Sequence, residues 1–360
     1  MQSLSEIREA IRAAYLADEA SLMARLQHEA RLDAGGRAAI EKHAARLVRD
    51  VRGAGDPGLM EEFLSEYGLS TKEGVALMCL AEALLRVPDA ETVDELIQDK
   101  ITPHDWGAHL GEASSSLVNA STWALMLTGR VIDERVEPGV AGALRGLVRR
   151  LGEPVVRIAV GRAMREMGAQ FVLGRDIGEA LTRGKKNVEQ GYTYSYDMLG
   201  EAARTEGDAK RYHDAYVRAI ATLSGHVRSD DIGANPGISV KLSALHPRYE
   251  YGHRDRMSPL LVDRTLQLAR AARDGAMGFN IDAEEADRLD LSLDIIEAVL
   301  TDRSLQGWDG FGVVVQGYGR RASLVIDWLY ALAARLDRRI MVRLVKGAYW
   351  DTEIKRAQVM

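Results

Sequence analysis

Cysteine is nearly absent: the 360 residues hold one, Cys79, inside the apolar run VALMCLAEALL. One thiol excludes an internal disulfide and any multi-cysteine metal site, and it reads as a small core residue of a reducing, cytoplasmic protein. No stretch reaches the roughly 18 apolar residues that a membrane-spanning helix needs. The opening MQSLSEIREAIRAAYLADE is charged throughout and lacks the apolar core of a secretory signal. Basic excess is lacking too: the formal charge is −6, which gives no bulk electrostatic case for nucleic acid or an anionic membrane. No GxGxxG turn follows a predicted strand, the nearest sequence, GYGRR at 317–321, having the wrong spacing. Neither a P-loop nor HExxH occurs, so a Rossmann cofactor fold, a P-loop nucleotide site and a zincin are excluded. What remains is an ordinary soluble composition, 46% hydrophobic and 28% charged, in a chain long enough for one large domain and a smaller one.

The two halves follow different periods. Up to about residue 175 the sequence reads as helices. Ser3 and Glu6 have capping-box spacing, as do Ser70 with Glu73 and Thr92 with Glu95. Ile40, Ala44, Leu47 and Val51 form an amphipathic stripe. Gly53, Gly55, Pro57 and Gly58 mark a break, GEASSSLVNAS at 111–121 reads as a linker, and a further helix is predicted over 154–168. No catalytic cluster is visible in this half. From about Gly191, short β-branched runs alternate with amphipathic helices. Strands are predicted at 193–199, 237–245, 278–284, 311–318 and 340–349, with helices over 209–223, 258–275, 291–302 and 322–337 and another from Thr352. Repeated β-α units predict a parallel sheet.

Polar residues choose between an open doubly wound sheet and a barrel. Asp197, Lys241, Asp282, Gln316 and Arg343 come one from each of five consecutive strands, in or just after the apolar core. A β/α barrel brings all such positions to one mouth, whereas an open sheet concentrates function at one switch point. The run VRLVKGAYWD adds Lys346, then Gly347 and Ala348, where backbone can approach a flat ligand, then Tyr349 and Trp350. Cations beside small residues and aromatics suit a flavin or a nucleotide phosphate. Opposite charges from different strands would shift one another's pKa values, as active sites do. A metal-dependent barrel lyase, with Asp282, Glu284 and Glu285 as oxygen ligands and Lys346 as a Schiff-base lysine, stays open at this point.

The segments YSYDMLGEAA, VKLSALHPRYE, IDAEEADRL, VVVQGYGRR and VRLVKGAYWD resemble successive strand motifs of the proline dehydrogenase barrel in the bifunctional proline utilization A family. The preceding helical region resembles that family's arm, α-domain and linker. The resemblance implies an incomplete (β/α)8 barrel after an all-α region: a helical arm over 1–55, a small α-domain over 56–110, a linker and helix over 111–175, and about five of eight barrel strands over 176–360. It implies FAD at the barrel mouth and oxidation of L-proline to Δ1-pyrroline-5-carboxylate. By the same resemblance Lys241 and Tyr349 contact the substrate, and Asp282 and Arg343 are catalytic. Ile281, Gln316, Arg343, Lys346, Gly347, Ala348 and Trp350 border the FAD, and no metal is implied. Its partners would be a quinone or other electron acceptor and a second copy of the chain in a homo-oligomer, with peripheral membrane contact in the full-length enzyme.

Two features depart from the family pattern. The family's C-terminal NAD-dependent aldehyde dehydrogenase has no counterpart here, nor do the last barrel strands and the helix whose paired arginines grip the proline carboxylate. The expectation is a fragment that binds FAD poorly, oxidises little proline alone, and otherwise serves as a scaffold or dimerisation piece. Some members also begin with a ribbon-helix-helix DNA-binding domain; the acidic chain starts at the arm-like helices, so no DNA-binding role is expected.

Overall fold

A computed structural model describes residues 3–54 and 172–359. Cys79, the capping boxes at Ser70 and Thr92, the Ser-rich segment at 111–121 and the helix expected over 154–168 lie outside the described residues. The chain divides into two compact units, one of residues 1–31 with 184–360, the other of residues 32–183.

Three helices open the chain: α1 (Leu4–Ala13), α2 (Glu19–Glu29) and α3 (Ala34–Gly53). The Ser3–Glu6 capping box is formed in full at the start of α1. Asp18 and Asp33 cap α2 and α3 by accepting from Ser21 N and Gly36 N. In the second unit, α3 carries the predicted stripe, and Ile40, Leu47 and Val51 on it are exposed. After α4 (Ile177–Glu189), strand and helix alternate: β1 (Ser195–Asp197), α5 (Glu206–Ser224), β2 (Gly237–Val240), α6 (Arg254–Asp274), β3 (Gly278–Ile281), α7 (Leu289–Thr301), β4 (Phe311–Gln316), α8 (Ala322–Arg335), β5 (Met341–Val345) and α9 (Trp350–Val359).

The five strands pair in chain order, all parallel. Among the described residues no strand reverses the order and no switch point arises, and the sheet is an arc of a β/α barrel. Register sorts its two faces. Tyr196, Ile238, Phe279 and Phe311 form one row and Val240, Ile281 and Val313 the next, all buried. Their alternation partners Asp197, Ser239, Asn280, Gly312 and Met341 form a row on the opposite, inward face. Gly312 leaves room there: an added Cβ would fall on the Asn280 side-chain amide, which would have to move.

The strands are shorter than the apolar runs suggest. β2 stops at Val240, where Leu242–Ala244 turn into a 3-10 helix, and β3 stops at Ile281. The chain leaves the sheet just where the charged residues begin, since loop backbone can carry them to the mouth. α9 starts at Trp350, two residues before the predicted start.

Helix α1 closes the outer layer of its unit by packing on α8. Ile7 and Ile11 are buried. Between them Arg8 pairs with Asp290 (2.7 Å) and Asp294 (2.6 Å) of α7, and its guanidinium lies 5.6 Å from the centre of the Trp328 ring. Burial pulls the Arg8 guanidinium down and pushes the Asp294 carboxyl up, each partly offset by the other's charge.

Helix α5 begins with a reciprocal cap. Thr205 Oγ1 accepts from Asp208 N (3.1 Å), and Asp208 Oδ2 accepts from Thr205 N (2.8 Å). Arg211 first, then Thr205, hold the Asp208 carboxyl at about 2, below its ordinary 3.8. A depressed carboxyl contributes its stability above the unfolded value and loses it as pH falls through the folded one. The expected result of Thr205→Ala is a loss of about 1 kcal/mol at neutral pH. That loss should shrink between pH 4 and pH 2, as checked by urea unfolding across that range.

Candidate active site

The inward row above Asp197–Met341 is where charge collects. Lys241 and Asp282 are the first residues beyond β2 and β3, while Arg343 stands opposite Val314 in β5. Lys241 Nζ donates to Asp197 Oδ1 (2.7 Å) and Asp282 Oδ2 (3.0 Å) and lies 3.8 Å from Glu201 Oε2. The other oxygen of Asp282 accepts from Arg343, which reaches it across the apolar Val314. The result is a continuous chain, Asp197–Lys241–Asp282–Arg343. Its middle is buried, with the Lys241 and Asp282 side chains 12% and 9% exposed, and its ends are open, Arg343 being 41% exposed.

Electrostatics follow that placement. Burial alone would pull the Lys241 ammonium down, but the carboxylates of Asp197 and Asp282 overcome it and hold it above its ordinary value. Burial pushes the Asp282 carboxyl up, and Lys241 and Arg343 offset this only in part. Beneath Lys241, the Tyr216 hydroxyl accepts from its backbone N–H (3.4 Å).

Gln316 ends β4 with its amide fixed at both poles. Nε2 donates to Glu284 O (2.8 Å), and Oε1 accepts from Ala348 N (3.0 Å). Lys346, Ala348 and Trp350 are exposed around it. Tyr349 is half-buried, and burial pushes its hydroxyl well up. Ile281 differs from the rest. Its side chain faces the helix layer and lines a cavity of about 290 Å³ with Leu293, Val313, Val325 and Arg321, so only its backbone borders the mouth.

Gly347 has φ +123°, and an added Cβ would fall on the Tyr318 ring, so a ring covers the bare Cα there. Tyr318 is in turn held by Glu353 of α9, with its hydroxyl pushed up to about 12, first by burial and then by that carboxylate. Gly347→Ala meets both obstacles, and a loss of about 1–3 kcal/mol is expected from backbone strain alone. Thermal melting checks it; a variant as stable as the parent would show that Tyr318 and the loop relax freely.

Sequence reasoning named the charged row but missed several supports. Glu201, Ser243, Tyr216 and Glu353 each touch the site or its loops; only Ser243 stands in a predicted strand run, and there as one small residue among apolar ones. Glu284 and Glu285 do not converge with Asp282 on a metal. Glu284 accepts from Ser243 N and pairs with Arg288 (3.1 Å), whereas Asp282 faces Lys241 and Arg343. Among the described residues no three His, Cys, Asp or Glu side chains are placed to hold an ion.

Comparison with known proteins gives the arrangement a lineage. The family described as proline dehydrogenase matches residues 180–360. The family described as the proline utilization A proline dehydrogenase N-terminal domain matches residues 5–52, and the one described as the DNA-binding domain of proline dehydrogenase matches residues 59–171. The bifunctional protein PutA of Salmonella typhimurium is 47% identical over 99% of this chain, which covers 27% of that protein. The PutA of Rhizobium meliloti is 48% identical over 99% of this chain and 29% of its own length. The chain thus spans about a quarter of the length of the curated relatives it matches. A mutant of proline utilization A from Bradyrhizobium japonicum, solved by crystallography, superposes with a TM-score of 0.64 at 50% identity, over 96% of this chain and 34% of that one. The parallel arc, the charged row at its strand ends and these matches agree, and the chain belongs to the proline dehydrogenase family.

Proposed function

We propose that the mouth of the arc oxidises L-proline to Δ1-pyrroline-5-carboxylate with FAD. The observation that carries this reading is the chain Asp197–Lys241–Asp282–Arg343, which presents two cations held by carboxylates at one set of strand ends. The donor set fits a flavin. Arg343 keeps part of its guanidinium open, Lys346 is an exposed cation, and Gln316 retains an amide hydrogen beyond its bond to Glu284. Bound FAD supplies the two-electron acceptor. Lys241 binds the proline carboxylate, a charge-assisted bond for an ammonium already oriented by two aspartates. Asp282 holds Lys241 and Arg343 at fixed spacing. Arg343 holds positive charge toward the reacting face, Tyr349 packs the substrate ring, and Trp350 borders the FAD and helps exclude water.

Addition of L-proline to the protein carrying this chain, purified with FAD, should bleach the visible flavin band and reduce a dye acceptor. A flavin-loaded protein that proline does not bleach would overturn the reading. A bound acceptor must be emptied between turnovers, which is the place of a quinone or other oxidant. The segmentation into arm, α-domain and linker before residue 176 belongs to the same proposal.

No nucleic-acid partner is proposed, on the acidic balance of the chain. The description of the family matching residues 59–171 names DNA binding for a domain of the family, not for this chain. Salt-sensitive, sequence-specific retardation in a gel shift would reverse that. No helix among the described residues is long and apolar enough to cross a membrane. The proposed cytoplasmic setting rests on the lone thiol.

A further inference from the structure

The charged row is not the only structure that circles the mouth. Outside it, a second set of contacts joins the loops that follow all five strands. In the loop after β1, Ala202 N donates to Ser243 Oγ (3.1 Å) and Ala203 N to Ser243 O (2.9 Å). Ser243, in the loop after β2, donates its own N–H to Glu284 Oε1 (3.1 Å) in the loop after β3. Glu284 O then accepts from Gln316 at the end of β4, and Gln316 Oε1 accepts from Ala348 N after β5. Each link is neutral or singly charged and made mostly through backbone, so it fixes loop paths rather than side-chain charges.

Two members carry the load of this belt. Ser243 is buried and spends all three of its polar groups on the neighbouring loops. What it holds is a strained segment: Ala202 has φ +53°, and Gly200 has φ +120° with its Cα against the Tyr212 ring. Asp197 and Glu201, both facing Lys241, lie on that same segment. The Glu284 side chain is 4% exposed, and its second oxygen pairs with Arg288. It also sits two residues after Asp282, so its anchor sets the path of the backbone carrying the central carboxylate.

Resting on the proline-oxidation reading, we infer that Ser243 and Glu284 are positioning residues of the site. Ser243 sets the β1 loop around Lys241, and Glu284 couples that loop to the Gln316–Ala348 side where the flavin would lie. Neither touches the charged row, so both act through the loops they join.

Peptide-level hydrogen exchange on the whole chain reads the belt without any activity. Ser243→Ala should speed exchange in 199–205 and leave 345–350 unchanged. Glu284→Ala should speed exchange in 199–205, 241–246 and 345–350 together, while Glu284→Gln, which keeps an acceptor for Ser243 N–H, should stay near the parent. Glu284→Ala confined to 241–246, or Glu284→Gln as disturbed as Glu284→Ala, overturns the inference. If Glu284→Ala fails to fold, the contrast between Ser243→Ala and Glu284→Gln decides alone. In the flavin-loaded protein, Ser243→Ala should raise KM for proline about tenfold with kcat within about twofold, the size of one lost hydrogen bond at a buried site. An unchanged KM overturns the positioning role even where exchange responds. A parent that proline does not reduce removes the reaction reading, and the exchange pattern alone then decides the belt.

Discussion

Replacing Lys241 with methionine is expected to cost about 3–5 kcal/mol of stability at neutral pH, the range for removing one partner of a buried pair. Methionine keeps most of the apolar stem, so the loss reads the charge rather than the volume. Asp282, nearly buried, would keep Arg343 but lose the nearer counter-charge, and Asp197 and Glu201 would lose theirs. The pH dependence has a definite sign. Lys241 is raised when folded, so its contribution is complete below its unfolded value of 10.5 and is lost only as pH climbs through the higher folded one. In the variant, Asp282 keeps a raised carboxyl with less to offset it. Its penalty therefore grows as pH rises through the folded value and fades on acidification. Melting curves at pH 5 and pH 8 should show the gap between parent and variant wider at pH 8. On the proposed reading, proline turnover should fall about 10–100-fold, mainly through KM, the size of a lost charge-assisted bond between Lys241 and the substrate carboxylate.

Arg8→Met should destabilise the unit by about 3 kcal/mol, although the residue is far from the mouth. Asp290 and Asp294 are 13% and 20% exposed and face Arg8 from α7, and the Trp328 ring loses its cation. The figure sits at the low end because Arg12 still reaches Asp290 (3.1 Å) and Arg254 still reaches Asp294 (2.9 Å). Arg12→Ala is the internal comparison: that side chain is 39% exposed, and its pairing should be worth under about 1 kcal/mol. Urea unfolding of the two variants side by side checks the order; equal losses would place the stability of this corner in the apolar Ile7 and Ile11 instead.

How much of this could be read beforehand differs by level. The β-α rhythm was legible because the rows Tyr196–Ile238–Phe279–Phe311 and Val240–Ile281–Val313 need apolar, β-branched or aromatic residues at alternate positions. Lys241, Asp282 and Arg343 stood out because charges interrupt those runs. Strand ends were overestimated because Leu242 and Leu245 continue the apolar pattern while the backbone has already turned into a 3-10 helix. Ser243 and Glu284 were invisible as a pair, since 41 residues separate them and a serine at the end of an apolar run signals nothing alone. The direction of the Ile281 side chain was lost for a similar reason: proximity in sequence to Asp282 says nothing about the face, which alternation decides. Nothing in the sequence around Arg8 separates it from the other cations of the helical half; only the folded chain shows α7 beside it.

The docking of α1 also has a consequence in time. Arg8 and Asp290 are 282 residues apart. At about 5–20 residues per second, a ribosome needs roughly 15–55 s to deliver the second after the first. Bringing ends that far apart together costs on the order of 5 kcal/mol of chain entropy. The five strands, paired in order of synthesis, can join one by one as they emerge, but α8, on which the α1 helix of Ile7 and Ile11 packs, comes out far later than α1 itself. The nascent chain therefore carries an amphipathic helix whose apolar stripe waits for α8, a natural hold for a chaperone. The first helix to be made is thus docked by one of the later ones.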